Sequence, residues 1–460
     1  RAALMGALLF GFSFSTDFLP QFLHSTALQV LTQFTGILGV TLFAPLPVSI
    51  GVRFLRMIFL TITANRGGSV AVRLAADNLL RNPTRTSNNI RSLTVGLVLV
   101  IVIASISHSF KTTIGAWLNV VLKSDLIVSS QGKLQRYLVQ PLDEAFGREL
   151  ALVPGVQTSG ETVFGMRFIK VKYRDVTLGL KAYDRPDFGS KYDLFDMQDR
   201  PAAEAGAELY DSLEPTVFVS NNFVHTFGKT TGDTFELSTP QGAVTFRIAG
   251  IVNDFAVAEG VLYISRERFK TLWRDNLVTL FAISVKPGVN PETVRQAIDG
   301  KWAQSRNIQA LANDELRKQL GESIDSGFAF TWAIQIAALA IALMGLFNTL
   351  LISILERTRE LGMMRAIGMT KKQLITMILG ETTILGALGS ITAVSIGSGL
   401  AYLFVTNTFE EILGWIIKFD LPITAALNTT LFGTGVAIVA CLYPCYRAVR
   451  VQIRDALEYE

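Results

Sequence analysis

Residues 355–373 read LERTRELGMMRAIGMTKKQ, a charged stretch set between two runs without charge, Ser326 to Leu355 and Thr382 to Phe409. Each run exceeds the ~20 apolar residues that a bilayer-spanning helix needs. A chain that crosses, exposes Glu356, Arg357, Arg359, Glu360, Arg365, Lys371 and Lys372, and crosses back builds a small charged handle on one face of the membrane. Composition agrees: 50% of the 460 residues are hydrophobic, 17% are charged, and mean hydropathy is positive, which is the signature of a polytopic membrane protein. A formal charge of +4 is too small to point to nucleic acid. The 2 cysteines, Cys441 and Cys445, both fall in the last apolar segment, so no disulfide framework holds the polar part of the chain.

Six apolar segments are read outward from the handle: Ala2 to about Phe14, Leu31 to Val52, Ser92 to Phe110, Gly327 to Leu355, Thr382 to Val405 and Ala425 to Tyr446. The first is short, as a truncated helix would be. Arg53, Arg56, Arg66, Arg73, Arg81, Arg85 and Arg91 lie between the second and third segments against the single acid Asp77, and the tail adds Arg447, Arg450 and Arg454. The loops 15–30 and 406–424 hold only Lys418 as a basic residue. The positive-inside rule then puts the arginine-rich loops and both ends of the chain in the cytoplasm. The expected fold is an α-helical polytopic membrane protein of about six transmembrane helices, with a large α+β extracytoplasmic domain inserted between the third and fourth.

That insertion, 111–325, carries slightly more acid than base. Helices are expected at 141–152, 221–227, 266–274 and 291–304, and strands at 166–173, 215–220, 243–252 and 280–288. Gly232-Asp233 and Pro240-Gln241-Gly242 supply turns. Ile114, Trp117, Leu118 and Val121 keep helical spacing beyond the third segment, and DELRKQLGESID (314–325) leads straight into the fourth. Two helical stalks are therefore expected, acting as levers. The divisions are 1–66, two linker helices; 67–91, an inner-leaflet elbow; 92–124, third helix and stalk; 125–313, the α+β domain; 314–355, stalk and fourth helix; 356–373, the coupling element; 374–409, fifth helix; 410–424, an extracytoplasmic loop; 425–460, sixth helix and tail.

Within GGSVAVRLAADNLLRNPTRT (67–86), Val72, Ala75, Ala76 and Leu79 share one helical face and Arg73, Asp77 and Arg81 another, which suits an interfacial helix; a plain solvated helix is the alternative. Asn82-Pro83 would end it, with Thr86 or Ser87 capping the next helix. In the handle, Glu360 can pair with Arg357 or Arg365, while Leu361, Met364 and Ile367 form an apolar patch that a partner could use. The basic residues alone could serve topology, but topology does not require Glu356, Glu360, Gly362 or Gly368. Two polar residues stand out at the membrane: Glu381, read as bonding to a neighbouring helix or a docked partner, and Asn348, read as an interhelical hydrogen bond. Gly386, Gly389, Gly397, Gly399, Gly433 and Gly435 read as close-packing positions. Cys441 and Cys445 read as packing residues rather than metal ligands, and His24, His108 and His225 form no cluster.

ERTRELGMMRAIGMTKKQL resembles the signature of FtsX/MacB-like permeases, the membrane subunits of the mechanotransmitting ABC transporters. NLLRNPTRT resembles that family's elbow before its first helix, GDTFELSTPQGAVTFRIAGIVND and VLYISRERFKTLW its extracytoplasmic domain, and LGETTILGALGSI its third helix. The match runs from about 68 to 460 as one four-helix module, and the first two apolar segments resemble the linker pair of ten-helix permeases, which makes the chain the C-terminal module of such a protein. The resemblance implies a cytoplasmic ATPase, as a dimer, docking on Glu356, Arg357, Arg359, Glu360, Leu361, Gly362, Met364, Arg365, Ala366 and Gly368. It also implies a second FtsX-like module, an extracytoplasmic partner, and export or extraction of a lipid, lipoprotein or hydrophobic compound across or from an inner membrane. A receptor or scaffold that relays signals between an extracytoplasmic ligand or cell-wall hydrolase and an ATPase is the alternative. No G-x-x-x-x-G-K-[ST] occurs in the 460 residues, so ATP and Mg are expected on a partner, with no cofactor, metal or catalytic residue on this chain.

Overall fold

The computed structural model describes residues 83–131, 140–157, 163–185, 195–410 and 414–450, with three isolated earlier positions. The two linker segments in 1–66, most of the elbow, and the tail beyond Arg450 lie outside the described residues. In chain order the elements are α1 (Pro83–Val121), β1 (Leu126–Ser130), α2 (Ala145–Ala151), β2 (Val163–Tyr173), β3 (Val176–Tyr183), α3 (Ala202–Asp211), β4 (Thr216–Ser220), α4 (Asn221–Phe227), β5 (Thr234–Thr239) and β6 (Gly242–Val252). They continue as β7 (Val261–Ser265), α5 (Arg266–Trp273), β8 (Leu280–Ile283), α6 (Pro291–Trp302), β9 (Ile308–Ala312), α7 (Asn313–Glu356), α8 (Thr358–Ala366), α9 (Lys371–Leu403) and α10 (Ile423–Arg450).

Among the described residues, four stretches, Leu93–Val121, Asn313–Glu356, Lys371–Thr408 and Ile423–Val449, are long and apolar enough to cross a membrane. The chain divides into a helical unit, Arg1–Ser109, Phe328–Thr406 and Phe419–Glu460, and a sheet unit, Phe110–Gly327 with Asn407–Lys418. Helix α1 begins at Pro83, where proline's preset φ suits a helix start and its missing N–H leaves no intrahelical bond unmade. Thr86 and Ser87 therefore sit inside the helix rather than capping it.

In the helical unit, Leu93 and Leu97 of α1, Leu346 and Leu350 of α7, Met377 of α9 and Cys441 of α10 form one buried cluster. Lipid gives helices no hydrophobic reason to associate, so small residues must let the backbones approach. A Cβ built on Gly386 would stand 2.7 Å from that of Ala437, and one on Gly389 would stand 3.2 Å from Leu93 Cδ2. Gly397 faces Ile101, and Gly433 faces Ser390 and Leu97, inside contact distance. Gly435 departs from the expectation, with nothing within 4 Å of such a Cβ. Cys441 and Cys445 pack in this core, and the Thr382 hydroxyl donates to Cys441 Sγ at 3.1 Å.

The sheet unit is built on a 9-stranded sheet of order β5-β6-β4-β7-β3-β2-β8-β1-β9. Two neighbouring pairs are parallel, β3 with β7 and β4 with β6. Phe146 and Leu150 of α2 and Val294, Ile298 and Trp302 of α6 cover Leu126, Val128, Phe281 and Ile283. Phe223 of α4 and Phe269 of α5 cover Val217, Val219, Leu262 and Ile264. The helices and strands expected from periodicity are present, while β1, β3, β5, β7, β9 and α3 are additions. LIVSS (β1) and VLYIS (β7) are buried at every position, so they carry no alternation for a pattern to detect. Within this unit the end of α1 and the start of α7 are tied together: Lys111 Nζ lies 2.6 Å from Asp325 Oδ1, Arg317 Nη1 donates to Asn119 Oδ1 at 2.8 Å, and Leu118, Leu122, Leu316 and Leu320 pack against the sheet cluster.

Several carboxylates of this unit are held ionised. Burial pushes Glu208 up, but hydrogen bonds from Arg200 and Arg247 outweigh it and hold the group below the usual range. Burial likewise pushes Glu144 up, and the Lys270 hydrogen bond with the Arg266 charge brings it down. The exposed Glu292 is lowered to about 2 by hydrogen bonds from Arg295 and then Gln296. Asp184 goes the other way, raised by burial despite Arg266. A folded-state pKa below the unfolded one gives stability present above the unfolded value and lost as pH falls through the folded one; Asp184 contributes oppositely. The sheet unit of the full chain is thus expected to lose stability progressively from about pH 4.5 towards pH 2, read by denaturant unfolding of tryptophan fluorescence. Arg247→Ala should flatten that slope, and an unchanged slope would refute the assignment.

Candidate functional site

The candidate site is the hairpin at the end of α7. Helix α7 stops at Glu356, Arg357 adopts φ −99 and ψ 7, and the short α8 starts at Thr358. The break is fixed by a buried guanidinium. Arg357 Nη1 donates to Glu381 of α9 at 3.0 and 3.3 Å, and its Nε donates to Glu360 at 3.3 Å. Side-chain exposure is 9% for Arg357 and 11% for Glu381, so the pair lies largely out of water and is sensitive to losing either member.

Helix α8 ends in a Schellman motif. The N–H of Met369 reaches the Met364 carbonyl at 3.0 Å and that of Gly368 reaches Arg365 at 3.1 Å. Gly368 sits at φ 111, a conformation that a Cβ makes costly. Thr370 then opens α9 with a capping box closed by Gln373. Two backbone devices two residues apart thus set the angle of the turn. Arg365 Nη1 donates to the Val449 carbonyl of α10 at 3.2 Å.

These contacts divide the ten docking candidates. Arg357, Leu361 and Gly362 are buried; Glu360, Met364 and Arg365 are half-buried; Glu356, Arg359, Ala366 and Gly368 are exposed. Arg357 is therefore an internal brace rather than docking surface. The expected apolar patch also changes: Leu361 is in the core and Met364 packs against it, whereas Met363 is 44% and Ile367 88% exposed. Arg359, Met363, Ala366 and Ile367 follow helical spacing and make the outward face. Sequence reasoning passed over Met363 because Leu361–Met364 and Met363–Ile367 are equally apolar stripes of one short helix. Lys371 and Lys372, also exposed, extend the basic margin.

Of the two membrane polar residues, Glu381 bonds a neighbouring element, as read from the sequence. Asn348 does not make the expected interhelical bond: it is exposed on α7 and has no hydrogen-bond partner among the described residues. It stands between Met344 and Ile352 on a stripe that also exposes Phe330, Ile334 and Ile341.

Comparison with known proteins accounts for both units. Residues 89–301 match the MacB-like periplasmic core domain and residues 332–453 match the FtsX-like permease C-terminal domain. An uncharacterized ABC transporter permease protein of Mycobacterium tuberculosis, Rv0987, is 27% identical over 84% of this chain and 45% of its own length. The macrolide export ATP-binding/permease protein MacB of Chlorobium luteolum is 22% identical over 85% of this chain and 60% of its own. The periplasmic region of MacB from Actinobacillus actinomycetemcomitans aligns with 45% of this chain and 97% of that structure at 11% identity and a TM-score of 0.31. The chain thus spans about half the length of these curated relatives. With the two family domains adjacent, in order, and together matching well over half of its residues, the chain belongs to the FtsX/MacB-like ABC transporter permeases.

Proposed function

We propose that this chain is the non-catalytic permease subunit of an ABC transporter, in which a cytoplasmic ATPase dimer grips α8 and drives movement of the sheet unit outside an inner membrane. One observation carries the reading. Helix α7 is continuous over 44 residues, from the end of β9 to the Arg357 break, about 65 Å at 1.5 Å per residue. Its first residues belong to the sheet unit and its last to the hairpin with α8. A push on α8 has a helical path to the sheet without leaving the chain.

In this reading the four described crossings are the third to sixth of six, and the sheet unit is inserted between the third and fourth. The apolar stripe of α7, with no partner for Asn348 among the described residues, supports pairing with a second FtsX-like module, since a polar side chain in a membrane helix is rarely left facing lipid. No phosphate-binding loop occurs in these 460 residues, and in this reading ATP and Mg are held by the ATPase that grips α8. The cargo class is a lipid, lipoprotein or hydrophobic compound handled outside the membrane.

The test is reconstitution in nanodiscs with the ATPase that co-purifies. ATPase turnover is expected to rise on adding the chain and to stay at its basal rate with Arg359→Glu; equal stimulation by both would refute docking on this face. Turnover that rises with an extracytoplasmic ligand while no species is exported or extracted would favour the receptor or scaffold reading.

A further inference from the structure

The segment joining α9 to α10 was read from the sequence only as a loop. Its described residues 407–410 and 414–418 nevertheless group with the sheet unit, although both helices that bracket them belong to the helical unit. Several independent contacts hold it there. Trp415 lies 5.8 Å from Phe110 and 5.6 Å, edge-on, from Phe255 between ring centroids. Phe110 continues to Phe409 at 6.1 Å, and Phe255 to Trp117 at 5.5 Å. Trp117 in turn donates its indole N–H to the Asn253 carbonyl at 2.9 Å. Five rings therefore run from this segment to the turn 253–258 that follows β6.

Gly414 adds a backbone contact. Its φ is 63, and a Cβ there would stand 2.9 Å from Asn222 Cβ and 3.0 Å from His225 Cβ on α4. Asn222 is itself tied to the same turn through the Ala258 carbonyl at 3.2 Å. A larger residue at 414 would separate the segment from α4.

The chain beyond Trp415 is extended and laid along α1. Thr113 Oγ1 accepts from the Lys418 N–H at 3.1 Å and donates to its carbonyl at 3.4 Å. Ser109 Oγ repeats this with Asp420, at 3.0 and 3.2 Å. The match is geometric: four helix residues rise about 6 Å, and two extended residues rise about 6.6 Å. Two hydroxyls one helical turn apart thus bracket alternate residues of an extended strand, a docking that a disordered loop would not make.

We infer that 414–420 is a third connector between the membrane helices and the sheet unit, beside α1 and α7, with Trp415 as its positioning residue. Displacement of the α9–α10 pair is delivered through Trp415 to the turn 253–258 and to α4. This deepens the transmission reading above and rests on it only for what the movement is used for.

The test is hydrogen exchange on the full chain in phospholipid nanodiscs, with no ATPase present. Gly386→Val perturbs α9 against α10 inside the helical unit, and exchange at 253–258 and 221–227 is expected to rise roughly threefold or more. In a Trp415→Ala background that rise should vanish, while β3 and β7 stay protected and report an intact fold. Trp415→Phe should restore it, because the Trp415 indole N–H has no acceptor among the described residues and only its ring is needed. Thr113→Val, which keeps every ring, gives a second route to the same loss should Trp415→Ala not fold. Transmission of equal size with and without Trp415, or none in the parent chain, overturns the connector. Neither outcome bears on ATPase docking, so the two readings fail separately.

Discussion

Glu381→Ala is expected to destabilise the helical unit by about 3–5 kcal/mol, the cost of leaving a buried charge without its partner. Arg357 keeps only the longer contact to half-exposed Glu360, at 3.3 Å, and its guanidinium stays in a site where water is scarce. The same argument predicts a recovery that a simple contact count would not. Replacing both partners with apolar residues, Arg357→Met with Glu381→Leu, should return stability to the parent level or above, because the desolvation cost disappears with the charges. The only cysteines of the chain offer the readout. Cys441 and Cys445 are buried beside Thr382, so labelling by a thiol reagent during a denaturant series in detergent marks opening of this core. A Glu381→Ala chain that opens at the parent's denaturant concentration would remove the brace from the account.

Ile367→Asp is expected to weaken ATPase docking by about 30-fold or more, the ~2 kcal/mol or greater loss typical of an apolar anchor at an interface centre. Ile367 is 88% exposed and follows the last residue of α8, immediately before the Schellman turn at Gly368. Its presentation is therefore fixed by backbone hydrogen bonds rather than by packing, and the substitution should leave thiol protection unchanged. Leu361→Asp, 2% exposed in the parent, should instead lose the fold. Arg359, Lys371 and Lys372 around Ile367 predict a docking rate that falls as salt rises. Parent-like binding of Ile367→Asp, measured by titrating the ATPase onto nanodiscs, would move the docking surface elsewhere.

The long apolar helices and the α+β character of the sheet unit were legible because each is a local property of the chain. Charge-free runs and the 3.6 spacing of Ile114, Trp117 and Leu118 need no knowledge of distant residues. The candidate site was legible only as a segment. Which face of α8 turns outward depends on whether Leu361 or Met363 finds a cavity in the bundle, and the two are nearly equivalent in apolar character. Arg357 was placed among the docking residues by the family resemblance alone; its burial follows from an acid 24 positions away on another helix. Asn348 misled in the opposite direction, since it is exposed and meets no partner among the described residues.

By itself the sequence determined the membrane class, the four long apolar helices, the α+β character of the sheet unit and the family. These follow from a bilayer's demand for about twenty apolar residues per crossing and from short motifs carried on contiguous residues. Tertiary structure alone decided the Arg357–Glu381 brace, the outward stripe of Met363 and Ile367, and the docking of 414–420 along α1. Each of these pairs residues far apart in the chain, and each is settled by shape and desolvation at the level of a few kcal/mol, which no run of neighbouring residues records.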